Sequence, residues 1–149
     1  METRARNQMS DLSPHGRVCV VDGDDGIRHS LRVLLRTLGV DAVTFSTAEE
    51  LLDRVNGNRP SFLIVELDLP GMSGFQLQAE LARRGIHLPI IGLTGEVDTR
   101  KKREAARLGF LDLVEKPFVH WSVVERVQQT LSRGRPPGEA VGTRDGNRF

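Results

Sequence analysis

Four polar groups follow four separate apolar runs of the chain, each close to the point where its run ends. The first comprises Asp22 and Asp24, the second Glu66 and Asp68, the third Thr94, and the fourth Lys116. Their chemistry is ionic, because carboxylates, a hydroxyl and an ammonium group pair charges and hold charged ligands. If the apolar runs are parallel strands of one sheet, these groups meet in a single crevice and face each other.

Each of these residues also has a structural explanation when it is taken alone. An acidic residue after a strand often caps the next helix, as Asp24 or Asp25 would do. Thr94 fits a strand-end hydroxyl that bonds locally, and a lone lysine such as Lys116 is commonly a solvated surface charge. The dipeptide Pro70-Gly71 fits an ordinary turn. Four groups in register after four runs favour a shared site.

Five short segments are predicted to be strands. They are residues 17–21, 42–45, 62–66, 90–93 and 111–114. Three of them are continuous apolar runs and do not alternate apolar with polar residues. Strands buried on both faces have this composition, and they belong to parallel sheets that helices cover on both sides.

Helical patterns fill the intervals between these strands. Apolar residues at spacings of three and four mark one face of the first helix, which Gly39 ends. Residues 47–50 form a capping-box pattern, and further helices are predicted over residues 75–83 and 98–108. Ser122 is expected to cap a last helix. The inward face of that helix is expected to comprise Val123, Val124, Val127 and Leu131. Five strand–helix repeats predict an α/β fold, a doubly wound (βα)5 domain.

Composition supports an ordinary globular chain. The 149 residues are 38% apolar and 28% charged, with a formal net charge of +1, so nothing draws the whole chain to nucleic acid or membrane. Residues 1–16 are expected to be a flexible lead-in, residues 17–133 the domain, and residues 134–149 a disordered tail. No run approaches the ~20 apolar residues of a spanning helix. The single cysteine, Cys19, fits a core residue in a reducing cytoplasm.

These motifs resemble the receiver domain of bacterial two-component response regulators, over residues 17–133. VVDGDDGIRHSLRVLL is similar to the family's acidic loop and first helix, ELDLPGMSG to its phosphoacceptor loop, LTG to its switch hydroxyl, and EKPF to its lysine–proline turn. The resemblance implies a flavodoxin-like parallel sheet in the order 2-1-3-4-5. It places Glu66 at the phosphoacceptor position and Asp22 in the acidic pocket. Thr94, Lys116 and Pro117 take the switch and phosphate-contact positions.

The chain departs from the family pattern at three positions. Two adjacent acidic residues usually follow the first strand and help to hold Mg²⁺, but here Asp22 is followed by Gly23. The phosphoacceptor aspartate is replaced by Glu66, and the usual switch aromatic before the lysine by Leu113. These differences bear on metal binding, on phosphoryl transfer and on the switch itself.

The metal site is expected to be weak. Mg²⁺ demands a nearly octahedral set of oxygen ligands, and Gly23 deletes one of them. Asp22 and Glu66 remain as the candidate metal ligands, and Asp24 or Asp68 compensates only if its side chain turns inward. We therefore expect no cofactor, or a weakly bound Mg²⁺.

The leading hypothesis is a pseudo-receiver: an atypical single-domain response regulator that acts as a protein-interaction module and is not an enzyme. Glu66 is one methylene longer than aspartate, so its carboxylate is expected to miss the in-line geometry of phosphoryl transfer. It is expected to pair with Lys116, to contact the Thr94 hydroxyl and to bias the domain toward one conformation. The alternative is a functional phospho-receiver or relay protein that uses another carboxylate, such as Asp68.

The expected partners are proteins. The resemblance implies a histidine kinase, a phosphotransfer protein or another response regulator. The family's output face, built by the fourth helix, fifth strand and fifth helix, also offers a route to a homodimer. Here that face includes Arg103, Arg107, Val119 and Trp121. Membrane binding is not expected, and direct DNA binding is disfavoured because these residues leave no room for a helix-turn-helix module. Flavin binding is disfavoured because the first loop, DGDDG, is acidic where an anion would sit.

Overall fold

The computed structural model describes residues 17–55, 60–116 and 120–133, and within them strands and helices alternate. The strands are β1 (Val18–Val21), β2 (Ala42–Phe45), β3 (Phe62–Glu66), β4 (Ile90–Thr94) and β5 (Asp112–Glu115). The helices are α1 (Asp25–Arg36), α2 (Ala48–Arg54), α3 (Gly74–Arg83), α4 (Thr99–Arg107) and α5 (His120–Arg133). The predicted lead-in and tail lie outside the described residues.

The strands form one parallel sheet in the order β2-β1-β3-β4-β5. This order confirms the predicted flavodoxin-like, doubly wound fold. The second strand lies on one side of β1, and β3, β4 and β5 follow in turn on the other side. In such sheets a crevice opens outside the carboxyl ends of the strands where the order reverses. The residues that follow β1 and β3 therefore flank the natural binding position of the fold.

Two apolar layers cover the two faces of the sheet. In β1, Val18 and Val20 pack with α1 and α5, whereas Cys19 and Val21 pack with α2, α3 and α4. This alternation follows from the two-residue period of a strand. Cys19 is buried as expected, and burial raises the pKa of its thiol to about 12. The thiol therefore stays protonated and belongs to the packing of the core.

Polar side chains fix where the helices begin. The Asp24 carboxylate accepts a hydrogen bond from Ile27 N at 3.0 Å and caps α1. Thr47 caps α2 as predicted, but the Glu50 carboxylate bonds Ser46 N, so the expected capping box is not closed on Thr47. A complete capping box instead opens α3, between residues 73 and 76.

The predicted bounds of the last strand and the last helix need correction. The fifth strand runs one residue later than predicted, because Leu111 N–H bonds Ile90 O and the β4–β5 ladder begins with Ile91 opposite Asp112. The last helix begins at His120, so Ser122 lies inside α5 and does not cap it. Val123 and Val127 of that helix are buried as predicted. No helix in the described part of the chain is both long and apolar enough to cross a membrane.

Candidate functional site

The sheet brings the predicted site residues to one edge. Glu66 ends β3 and Thr94 ends β4, while Asp22 and Lys116 directly follow β1 and β5. Backbone bonds hold these ends in place: Asp22 N–H donates to Phe45 O at 3.1 Å, and Lys116 N–H donates to Thr94 O at 2.7 Å. Four strand ends thus present a fixed set of polar side chains to the crevice.

A first cluster is centred on Lys116. Its ammonium donates a hydrogen bond to Glu66 Oε2 at 3.0 Å, as the sequence predicted. It also lies 3.0 Å from Asp22 Oδ2, an ion-pair distance whose angles are not those of a hydrogen bond. Asp22 is completely buried, and the side chains of Lys116 and Glu66 are 18% and 19% exposed. We call Asp22, Glu66 and Lys116 the Lys116 cluster.

Burial and charge oppose each other inside the Lys116 cluster. Burial alone lowers the pKa of Lys116, but its contacts with Asp22 and Glu66 outweigh burial and raise the pKa above its usual value. Burial raises the pKa of Asp22, and the nearby Glu66 charge adds to that rise, while the hydrogen bond from Asp24 N–H and the contact with the Lys116 ammonium oppose it. One ammonium group therefore neutralises charge on two carboxylates, and loss of hydration disfavours the ionised form of Asp22.

Glu66 uses both of its carboxylate oxygens within the domain. Oε2 accepts from Lys116, and Oε1 accepts from the backbone N–H of Gly23 at 3.3 Å. A Cβ atom placed on Gly23 would lie 3.9 Å from Glu66 Oε1, which is ordinary van der Waals contact. The absence of a side chain at position 23 is therefore not forced by packing.

A second cluster is centred on Lys101, which was not predicted as a site residue. Its ammonium donates to Thr94 Oγ1 at 2.8 Å and to Glu96 O at 2.9 Å, and it lies 3.9 Å from Asp68 Oδ2. The Thr94 hydroxyl is also 3.2 Å from Asp68 Oδ2. The expected contact between Glu66 and this hydroxyl is therefore wrong. We call Asp68, Thr94 and Lys101 the Lys101 cluster.

One signal in the sequence points to Lys101. Asp98 caps α4 by accepting a bond from Lys101 N at 2.8 Å, so Lys101 falls in the first turn of that helix. A lysine in the first turn after a strand can reach back to the strand end. A basic run such as residues 100–103 ordinarily forms a solvated helix face, but the Lys101 side chain is only 17% exposed.

The carboxylates present do not make a good magnesium site. The Asp24 side chain caps α1, so it serves the helix. Asp68 bonds Thr94, and Asp22 and Glu66 both contact the Lys116 ammonium. Within the described ranges, no three His, Cys, Asp or Glu side chains gather as a metal-binding group. The donor set thus fits internal charge pairing better than coordination of a hard cation.

Part of the predicted interaction face is described. A cavity of about 430 Å³ lies between α4 and β5, with Arg103 on its wall and Leu113 in its lining. Arg107, near the end of α4, is paired with Glu104 at 2.6 Å. Trp121 lies in α5, but its side chain is not described, and Pro117 and Val119 fall outside the described residues.

Comparisons with known proteins agree with this architecture. Nodulation protein W of Bradyrhizobium diazoefficiens is 35% identical over 140 residues, which cover 94% of this chain and 62% of that protein. The transcriptional regulatory protein FixJ of Azorhizobium caulinodans is 33% identical, over 85% of this chain and 60% of its own length. This chain therefore spans less than two thirds of these relatives.

A solved structure gives the same picture. The response regulator receiver protein from Pseudoalteromonas atlantica superposes with a TM-score of 0.73 at 30% identity, over 80% of this chain and 99% of that one. Residues 18–128 match the family model described as the response regulator receiver domain. Sheet order, strand-end residues and these similarities agree, and the chain belongs to the response regulator receiver domain family.

Proposed function

We propose that this receiver domain acts in two-component signalling as an interaction module that is not phosphorylated at residue 66. The observation that carries the proposal is the Lys116 cluster, in which the Glu66 carboxylate is held by Lys116 at 3.0 Å and by Gly23 N–H at 3.3 Å. A carboxylate bonded on both oxygens is poorly placed to attack a phosphorus atom in line. Its extra methylene is used to reach these two donors.

The metal chemistry of the family also lacks support here. Mg²⁺ neutralises charge on the transferring phosphoryl group, and it needs several oxygen ligands around an open position. Asp22 is completely buried and paired with Lys116, while position 23 offers no carboxylate. Glu66 itself places a permanent negative charge beside Lys116, and so imitates part of what a phosphoryl group would supply.

Labelling with radioactive acetyl phosphate in the presence of Mg²⁺ tests the proposal. We expect no stable label on the wild-type protein. The double variant Gly23→Asp/Glu66→Asp restores both family residues, and a Cβ atom at position 23 makes only ordinary van der Waals contact, 3.9 Å from Glu66 Oε1. We expect that variant to take up label. Stoichiometric label on wild-type Glu66, abolished by Glu66→Ala, would contradict the proposal.

A second candidate function has one observation in its favour. Asp68 is 58% exposed, and its carboxylate lies 3.2 Å from the Thr94 hydroxyl and 3.9 Å from the Lys101 ammonium. A hydroxyl and a cation beside an accessible carboxylate are the groups that a phosphorylated aspartate needs. The domain would then be a phospho-receiver or relay protein that uses Asp68. Label on the wild type that disappears in Asp68→Asn, but persists in Glu66→Gln, would favour this candidate.

The proposed output surface is the α4–β5 cavity together with α5. Lys102 and Arg103 on its wall are in no ion pair among the described contacts, whereas Asp112 is paired with Arg126 at 2.6 Å. The wall is therefore positively charged over a lining that includes Leu113, which fits a protein partner with acidic residues around an apolar side chain. The proposed partners are a histidine kinase, a phosphotransfer protein, another response regulator or a second copy of this domain. The proposed location of these interactions is the cytoplasm.

Charge reversal tests this surface. The variant Arg103→Glu should abolish most partner or dimer association, because it places a negative charge on the cavity wall facing an acidic partner. Arg107→Glu is the matched control on the same helix, since Arg107 already pairs with Glu104. Association measured by analytical ultracentrifugation and by pull-down with purified candidate partners should fall far more for the first variant. Equal losses would remove the cavity from the proposal.

A further inference from the structure

The hydroxyl of Thr94 has its bonding capacity filled. Thr94 is completely buried. Its oxygen accepts from Lys101 Nζ at 2.8 Å and from Glu96 N–H at 3.4 Å. Its single hydrogen has two acceptors within reach, Asp68 Oδ2 and Glu96 O, each at 3.2 Å. A hydroxyl offers one donor and two acceptor positions, so none is left for a group on residue 66.

Lys101 ties three elements together. Besides Thr94 at the end of β4, its ammonium bonds Glu96 O in the following loop at 2.9 Å. Its own backbone N–H bonds the Asp98 cap of α4 at 2.8 Å. Side chain and backbone of this residue therefore join the strand end, the loop and the first helical turn. The next residue, Lys102, is exposed, and its side chain is in no hydrogen bond or ion pair with the described residues, although its backbone N–H donates to Asp98 O at 3.0 Å.

We propose that Lys101 is a positioning residue that locks Thr94, the loop after β4 and the start of α4 in one arrangement. An internal ammonium holds the hydroxyl, so the setting of α4 does not depend on chemistry at residue 66. Because α4 carries Lys102 and Arg103, the lock also sets the wall of the α4–β5 cavity. The inference rests on the proposed function, since a permanent lock suits a domain that phosphate does not switch.

Hydrogen exchange on the full chain tests the lock. In Lys101→Met, we expect the amides of residues 95–101 to exchange about tenfold faster, because the bonds from the ammonium to Thr94 and Glu96 are lost. Lys102→Met removes the same charge one residue along and should leave exchange unchanged. Amides of β1 and β3 serve as internal references for global stability. Wild-type protection of residues 95–101 in Lys101→Met would overturn the proposal.

A double-mutant cycle on Lys101 and Thr94 distinguishes action through the hydroxyl from a simple loosening of the helix. If Lys101 acts through the hydroxyl, Lys101→Met should add little to the exchange rates of Thr94→Val. Thr94→Ser keeps the hydroxyl and should preserve the full effect of Lys101→Met. Fully additive effects of Lys101→Met and Thr94→Val would overturn the positioning role even if both variants fold.

The two proposals fail in different ways. Label from acetyl phosphate on wild-type Glu66, together with faster loop exchange in Lys101→Met, overturns the proposed function and leaves the lock in place. No label, together with unchanged loop exchange in Lys101→Met, overturns the lock and leaves the proposed function in place.

Discussion

The Lys116 cluster and the Lys101 cluster lie side by side at the carboxyl edge of the sheet, but they are built differently. Lys116 faces two carboxylates, one of them on the completely buried Asp22. Lys101 faces a neutral hydroxyl and the largely exposed carboxylate of Asp68. The first cluster has one negative charge more than it has positive charges, and the second is balanced.

Burial of the carboxylates decides how much each cluster matters to stability, because the side chains of Lys101 and Lys116 are almost equally buried, at 17% and 18% exposed. Removing one partner of a buried ion pair leaves an uncompensated charge out of water, which is costly. An exposed pair is screened by solvent and contributes little. The Lys116 cluster should therefore be a stability element, whereas the Lys101 cluster should mainly determine local conformation. The following predictions test this difference, beginning with the largest expected effect.

The variant Lys116→Met should lower the free energy of unfolding by about 3 kcal/mol, because Asp22 would be left buried beside Glu66 with no counter-charge. Lys101→Met should cost less, about 2 kcal/mol, because it removes two hydrogen bonds that usually contribute about 1 kcal/mol each. Urea unfolding of both variants measures the difference, with Lys102→Met as a control near wild type. Equal losses for the two lysines would erase the contrast.

Alkaline pH should weaken the Lys116 cluster. The folded pKa of Lys116 is raised above its usual value of 10.5. Its contribution to stability is therefore complete below the unfolded pKa and is lost as the pH rises through the folded pKa. The stability gap between wild type and Lys116→Met should shrink above about pH 10.5. A gap that stays constant across urea midpoints up to about pH 12 would contradict the assigned role of this ammonium.

Substitution of Asp24 tests whether this residue caps α1 or belongs with the neighbouring Lys116 cluster. Asp24→Ala should cost about 1 kcal/mol through loss of the α1 cap, and Asp24→Asn should cost much less because asparagine caps equally well. Thermal unfolding with and without Mg²⁺ provides the measurement. The loss of stability should be the same in both conditions. A loss seen only with Mg²⁺ would indicate that Asp24 is a metal ligand.

The smallest effect is expected at Asp68. Its carboxylate is 58% exposed and 3.9 Å from Lys101, so Asp68→Asn should change the free energy of unfolding by less than about 0.5 kcal/mol. The amide oxygen can still accept from the Thr94 hydroxyl. A loss above about 1.5 kcal/mol by urea unfolding would mean that the two clusters are energetically alike, against their difference in burial.

Much of this architecture follows from sequence patterns alone. Continuous apolar runs predicted a parallel sheet, and the ends of those runs predicted that Glu66 and Lys116 share one crevice. Both predictions rest on periodicities that burial imposes on almost any sequence. The specific pairing of Glu66 with Lys116 was predicted from the resemblance to receiver domains. The fifth strand was misplaced by one residue, because the apolar Leu111 lies just before the ladder that the backbone bonds define.

The Lys101 cluster could not be predicted in the same way. Whether a lysine in a basic run points to solvent or back to a strand depends on how its helix docks, which sequence spacing does not encode. Asp24 illustrates a similar limit. An aspartate after a strand can cap a helix or enter the crevice, and the free N–H of Ile27 decides in favour of the cap. Such choices depend on local competition for donors.

The bond between Glu66 and Lys116 has a consequence for timing. A phosphoryl group on aspartate is transient, and the rate at which it is lost sets how long a signal lasts. Under the proposed function, the negative charge beside Lys116 is a fixed part of the amino-acid sequence and is not lost by hydrolysis. The duration of the signal would then not be set within the domain, and its output would rise and fall with the number of protein molecules in the cell.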